Sequence, residues 1–261
     1  MNSKELIQAG RLQEAREKLV GEVKASPGDP AGRTLLFQVL ALLGEWDKAS
    51  RHLDMIGTSD PARAMHAQTC RNLIQAEKER IEVCSLKHLP SFLPETPDYF
   101  EPYREALKSI QAGDGEKAAG LFSSIERPAV SGTVNDKPFE GISDTDTFLH
   151  AFLEAFVHER YVWIPFEHIR ELIVAEPKTL LDLIWIQAGI TTWEGLSLNC
   201  FLPVLYPGSF LHENDQIRLG RLTQWSELCG SFLKGHGQHV YQIGQEDVSL
   251  LEIRTITCKL K

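Results

Sequence analysis

The sequence predicts an α+β protein in two parts: an α-α superhelix of paired helices over residues 1–127, then a smaller α/β domain over residues 128–261 with a mainly antiparallel sheet. Two observations carry this. Landmark residues of the first part recur at a fixed helical-repeat period, and near Arg127-Pro128 the apolar spacing changes from helical to strand-like. A chain of 261 residues, 43% hydrophobic and 24% charged, has the make-up of a globular protein of one large or two ordinary domains.

In the first part Leu6, Ile7, Ala9, Leu12, Ala15 and Leu19 fall at helical spacing, interrupted by Gly10. Gly10 and Gly44, Ala15 and Ala49, Leu19 and Leu53, and Pro27 and Pro61 each stand 34 residues apart. This is the tetratricopeptide (TPR) period, in which a small residue lets the two helices of a repeat approach and a proline ends the second helix. A degenerate third copy is visible at Ala112-Gly113-Asp114-Gly115-Glu116-x-Ala118. Between the copies, residues 62–83 read as one long helix and Leu89–Pro97 as an extended connector rich in proline. One helix pair cannot bury both of its faces, so a TPR-like stack covers them with neighbours and leaves a groove suited to a peptide or a helix. Trp46, just past the second glycine, is expected in the core between helices.

The second part opens with a hairpin expected around Asn135-Asp136. Asp144 is expected to cap a helix whose apolar face is Phe148, Leu149, Phe152, Leu153, Phe156 and Val157. Tyr161–Ile164 reads as a strand ended by Pro165, and Phe166–Val174 as a short helix. Leu180–Ile186, Leu196–Leu202, Val240–Ile243 and Val248–Thr257 are β-compatible runs, with a helix or turn over Glu213–Gly220.

Charge and cysteine content exclude several function classes. The net charge of −9 divides into 17 basic and 19 acidic residues over 1–127, and 10 and 17 over 128–261. No basic stripe is available to displace counterions from a nucleic acid. The five cysteines include no Cys-x-x-Cys pair and do not form a disulfide framework. With no signal-type N-terminus and no long apolar segment, the expected location is the cytoplasm, without membrane attachment.

Catalytic and metal-binding patterns are weak. His150, Glu154 and His158 would share a helix face, but no fourth metal ligand accompanies them, and a solvated stripe is the simpler reading. His236 and His239 belong to a glycine turn. There is no His-Glu-x-x-His, no Gly-x-Ser-x-Gly and no phosphate-binding loop. Asp144 and Asp146 are a carboxylate pair placed for capping rather than for acid/base work. Arg221, between Leu219 and Leu222, requires a carboxylate if it is buried, and Asp182, Asp144 and Asp146 are the candidate partners of an internal polar lock. An enzyme site around Asp144, Asp182 and Arg221 is the alternative.

Six blocks in the second part carry a family resemblance. They are Phe139-x-Gly141-x-x-Asp144-x-Asp146, Tyr161-x-Trp163-x-Pro165-Phe166-Glu167-x-Ile169, Leu181-Asp182-Leu183-Ile184-Trp185, Leu202-Pro203-x-Leu205-Tyr206-Pro207, and Leu219-Gly220-Arg221-x-Thr223-x-Trp225, followed by Gly235-x-Gly237-Gln238. The chain resembles the ImpE family, also called SciE or TagJ, in which the helical first part also fits. The resemblance implies a non-enzymatic accessory protein of a bacterial type VI secretion system, without catalytic, cofactor or metal residues. It further implies binding to the N-terminal helix of the small sheath subunit (TssB) and a link to sheath recycling by the ClpV ATPase. A general assembly scaffold stays open beside that role. The chain departs from the family at Gln224, where the acid of Thr-Asp-Trp often stands, and at His239, where an arginine often follows the glycine turn.

Overall fold

The computed structural model describes residues 1–56 and 61–259. Its helical part contains α1 (Ser3–Gln8), α2 (Leu12–Ala25), α3 (Pro30–Leu42), α4 (Trp46–Ile56), α5 (Pro61–Cys84), α6 (Phe100–Gln111) and α7 (Gly115–Ser123). Consecutive helices pack on one another from α1 through α5, and α6 packs on α7. Local chemistry starts three of them: Asn2 and Glu5 form a capping box on α1, Asp29 caps α3 ahead of Pro30, and Asp114 caps α7.

The three repeat glycines act through backbone conformation, not only through small size. Gly10, Gly44 and Gly113 follow α1, α3 and α6 with φ of 71°, 68° and 81°. At each, the glycine N–H and the next N–H return to carbonyls of the last helical turn, as in Gly44 to Ala41 at 3.0 Å and Glu45 to Leu40 at 2.9 Å. This left-handed closure satisfies orphan carbonyls and reverses the chain, and a residue with a Cβ resists it. The prolines divide in role: Pro27 lies just past α2, whereas Pro61 opens α5.

The rest is built mainly of strands: β1 (Ser91–Phe92), β2 (Ser131–Val134), β3 (Lys137–Glu140), β4 (Ile142–Asp144), β5 (Phe152–Val157), β6 (Arg160–Pro165), β7 (Ile169–Val174), β8 (Trp185–Thr192), β9 (Ser197–Pro203), β10 (Gln224–Glu227), β11 (Leu233–His236), β12 (Val240–Ile243), β13 (Glu246–Ser249) and β14 (Thr255–Lys259), with one short helix, α8 (Asp215–Arg218). The large sheet runs β1-β6-β5-β9-β8-β7-β14-β2-β3; a small one runs β13-β12-β4, and β10 pairs with β11. Every pairing in the large sheet is antiparallel except β1 with β6, and β1 comes from the proline-rich connector between α5 and α6. The helical part therefore supplies an edge strand to the sheet.

Two expected helices are strands. Residues 152–157 form β5, buried along both faces. Phe148, Leu149, Phe152, Leu153, Phe156 and Val157 match a helix period, but a central strand covered on both sides is also continuously apolar and shows no alternation. Asp144 ends β4 instead of capping a helix. Over 166–174, a 3-10 turn at Phe166–His168 leads into β7, and the 180–186 run begins with a 3-10 turn at Leu181–Leu183 before β8. The expected hairpin at Asn135-Asp136 joins β2 to β3, with positive φ at both turn residues.

Helices α5 and α6 cover one face of the large sheet, where Phe152 and Trp163 meet Phe92, Phe100 and Tyr103. On the other face Leu153, Leu172 and Ile256 meet Ile142 and Tyr241 of the small sheet. Trp46 lies against Trp185 and Phe210, at ring distances of 6.1 and 5.7 Å, so it packs between the helices and the second part. No helix among the described residues is long and apolar enough to cross a membrane.

A Cβ at Gly44 would stand 2.2 Å from the Phe210 ring, whereas one at Gly113 would meet open space. Gly113→Ala should therefore cost only the left-handed penalty, about 1–2 kcal/mol, and Gly44→Ala about 1–3 kcal/mol more from overpacking. Urea unfolding of both variants checks this; equal costs would show that Phe210 does not close on the α3–α4 turn.

Candidate functional site

The charged centre of the molecule lies between α5 and the sheet. The apolar stripe of α5 runs through Ala67, Cys70, Leu73, Ile74, Val83 and Cys84, and Glu77 and Arg80 fall on it instead of on the solvent face. Across from them, Glu154 is the lone charge of the β5 run Phe152-Leu153-Glu154-Ala155-Phe156. Arg80 is 3% exposed and Glu154 2%.

Arg80 donates Nε–H to Glu154 Oε2 at 2.9 Å and a short bond from Nη2 to Oε1; Nη2 also reaches the Leu205 carbonyl at 2.7 Å. Tyr161 donates to Glu154 Oε2 at 2.6 Å, and Trp163 Nε1 donates to the Tyr161 oxygen at 2.6 Å. Glu77 lies 3.4 Å from Arg80 and accepts Trp185 Nε1–H at 3.0 Å. Beyond Glu154 comes His239, fully buried, with Nε2 2.7 Å from Glu154 Oε1 and Nδ1 2.8 Å from Asp144 Oδ2. Asp144 further accepts Tyr206 Oη–H and the Asp146 N–H, each at 2.8 Å. Asp146 in turn accepts the N–H groups of Phe148 and Gly235 at 2.8 Å. The chain Glu77–Arg80–Glu154–His239–Asp144–Asp146 thus links α5, β5, the 204–207 segment, the residue that precedes β12, and β4 with the turn after it.

The protonation states follow from these contacts. Both ring nitrogens of His239 lie within 2.8 Å of a carboxylate oxygen, which favours the imidazolium, while Nε2 also stands 3.3 Å from Arg80 Nη2. Burial alone would lower its pKa, but Asp144 and Glu154 overcome that and hold it up at about 9. Burial works against ionised Glu154 too, and Arg80 and His239 reverse it to about 2. Burial pushes Glu77 upward, Arg80 and Trp185 opposing it only in part. Burial followed by the charge of Asp144 raises Asp146 to about 7. Two cations are matched to Glu154 and Asp144, while the outer acids Glu77 and Asp146 are displaced towards their neutral forms.

Of the residues expected to form the polar lock, Asp144 and Asp146 meet inside this chain, whereas Asp182 and Arg221 stand apart from it. Asp182 accepts the N–H groups of Lys178 and Thr179 and the Thr179 hydroxyl, closing its own turn. Arg221 is exposed, so its environment requires no carboxylate, and it donates to the carbonyls of Gln8 at 2.8 Å and Ile7 at 3.3 Å at the end of α1. The arginine that burial forces to pair is Arg80. Among the described residues Asp144, Asp182 and Arg221 each bond to separate partners and not to one another. Nor do His150, Glu154 and His158 share a face, since His158 occupies the left-handed turn between β5 and β6. His236 bonds Ser226, and Gln224 is exposed on β10, away from buried His239. Arg80 and Glu77 had a sequence signal, as two charges on the apolar stripe of the long helix.

A second linkage joins the two parts at the α1–α2 turn. The first residue of α2, Leu12, has no cap from Arg11; its N–H donates to Asp215 of α8 at 2.7 Å. Arg221 serves the carbonyl end of α1 beside it, and Gln216 packs under Gly10.

The ImpE protein family model matches residues 136–257, and a tetratricopeptide-repeat model matches residues 6–70. The chain is 35% identical over 227 residues to the type VI secretion system accessory component TagJ of Pseudomonas aeruginosa, covering 86% of this chain and 81% of that protein. A crystallised Vibrio parahaemolyticus protein shares the fold with a TM-score of 0.89 at 22% identity, over 99% of this chain and 98% of that one.

Arg80→Met should lower stability by about 3–5 kcal/mol, because it leaves Glu154 buried without its main counter-charge. The pH profile carries a sign. His239 has its folded pKa raised from 6.5 to about 9, so its contribution is full below the lower value and lost as pH rises through the upper. Glu154 has its folded pKa lowered from 4.5 to about 2, so its contribution is lost as pH falls through that interval. Asp146, raised from 3.8 to about 7, erodes stability as pH climbs between those values. Melting temperature should peak near about pH 5 and decline on both sides, and His239→Gln should flatten the decline between about pH 7 and 9. An alkaline decline unchanged in His239→Gln would remove His239 as its source.

Proposed function

The chain belongs to the ImpE family, and from that premise we propose that it is a non-enzymatic adaptor of a bacterial type VI secretion system. In this role its helical part holds the N-terminal helix of the small sheath subunit, a TssB-like protein. The ClpV ATPase that recycles the sheath is then reached through that contact or directly. The observation that carries the proposal is the 35% identity, over most of both chains, to a type VI secretion accessory component.

The architecture supports an adaptor. Stacked helix pairs offer a grooved surface for an amphipathic helix. The buried ionic chain satisfies its own members and fixes α5 on the sheet, so the helices are presented as a rigid body. Met55 at the end of α4 and Met65 at the start of α5 are exposed, and thioether side chains adapt readily to an apolar helix face.

Titration of a labelled N-terminal peptide of the cognate small sheath subunit should give saturable binding, weakened about tenfold or more by Met65→Lys. A helical, soluble peptide that does not bind saturably would reject the sheath contact. Binding that Met65→Lys leaves unchanged would move the contact off the start of α5.

A further inference from the structure

A recess of about 530 Å³ opens between the helical part and the small sheet. One wall is aromatic. Tyr103 of α6 and Phe122 of α7 meet edge to face at 5.1 Å, and Phe232 lies 5.5 Å from Phe122. The facing wall is polar: Ser143, Gln242 and Asp247 are register partners across β4, β12 and β13, so they form one row on one face of the small sheet.

Arg127 borders the recess from the segment that joins α7 to β2. It is half-buried, and among the described residues no carboxylate lies within ion-pairing distance of it. Asp144 also borders the recess, but its oxygens are taken by His239, Tyr206 and the Asp146 N–H. Asp247 is exposed on β13 and unpaired with Arg127. His150 is exposed at the rim and donates Nδ1–H to the Asp144 carbonyl at 3.1 Å; partial desolvation and then the charge of Arg127 hold its pKa below the usual histidine value. A half-buried guanidinium without a carboxylate keeps its N–H donors available to one from outside. The volume and the mixed walls suit a small ligand group.

We infer that this recess binds an apolar α-amino-acid carboxylate: the carboxylate on Arg127, the adjacent N–H protons towards the Gln242–Asp247 row, and the side chain against Phe122 and Phe232, which buried Tyr103 backs. A free amino acid and the C-terminal residue of a polypeptide offer this same chemistry. The site stands apart from the sheath-binding proposal, since it lies away from the start of α5.

Calorimetric titration of the full chain with L-phenylalanine, the tripeptide Gly-Gly-Phe and L-phenylalaninamide tests it. One or both acids should bind saturably, and the amide, lacking the carboxylate, about tenfold or more weaker. Tighter binding of phenylalanine assigns the free amino acid, and tighter binding of the tripeptide a chain terminus. Arg127→Gln should weaken the acids by about tenfold with an unchanged melting temperature, and Phe232→Ala should weaken them through the aromatic wall. The inference is overturned if neither acid saturates, if the amide binds as well as the acids, or if binding survives both substitutions unchanged.

Discussion

A guanidinium taken out of water must be matched by charge and by hydrogen bonds, and in this fold that requirement falls on Arg80. Its counter-charge, Glu154, is 74 residues away on a central strand, and the next cation, His239, is 159 residues from Arg80. Neither helix nor sheet can settle its interior charge alone. The position of α5 on the sheet is therefore set by electrostatics as well as by apolar packing, and the tyrosine and tryptophans around the carboxylates supply the remaining donors. A wrong docking of the helices would strand several charges in the core together.

The clamp at the α1–α2 turn extends the same dependence to the N-terminus. Leu12 lacks a local cap and is served by Asp215, while the carbonyl end of α1 is served by Arg221. Gly44 is closed over by Phe210, and β1 places a strand from the helical connector on the sheet edge. The repeats of the first part thus lack the nearest-neighbour independence of a long solenoid. They form a short stack whose turns are completed by the second part.

The legible features of the sequence were those with local causes. The 34-residue spacing of glycines showed the helix pairs, and Asn135-Asp136 showed a hairpin, because left-handed turn positions restrict residue choice. What stayed hidden was non-local. The β5 run reads as a helix since burial on both faces erases alternation, and Arg221 looked buried because its apolar neighbours in sequence are not its neighbours in space. Asp144 and Asp146 could be singled out but not paired with His239, whose glycine-turn setting carries no sign of a core position. Glu77 and Arg80 were detectable only as a breach of an apolar helical stripe.

The central claim, that a continuous ionic chain joins α5 to the sheet, rests on His239 carrying a proton on both nitrogens between Glu154 and Asp144. Long-range ¹H–¹⁵N correlation of the histidine rings, with His239→Gln for assignment, tests it most directly. Both His239 nitrogens should show protonated shifts at neutral pH and change together only as pH passes about 9. A neutral ring at neutral pH, with one nitrogen bare, would contradict the account.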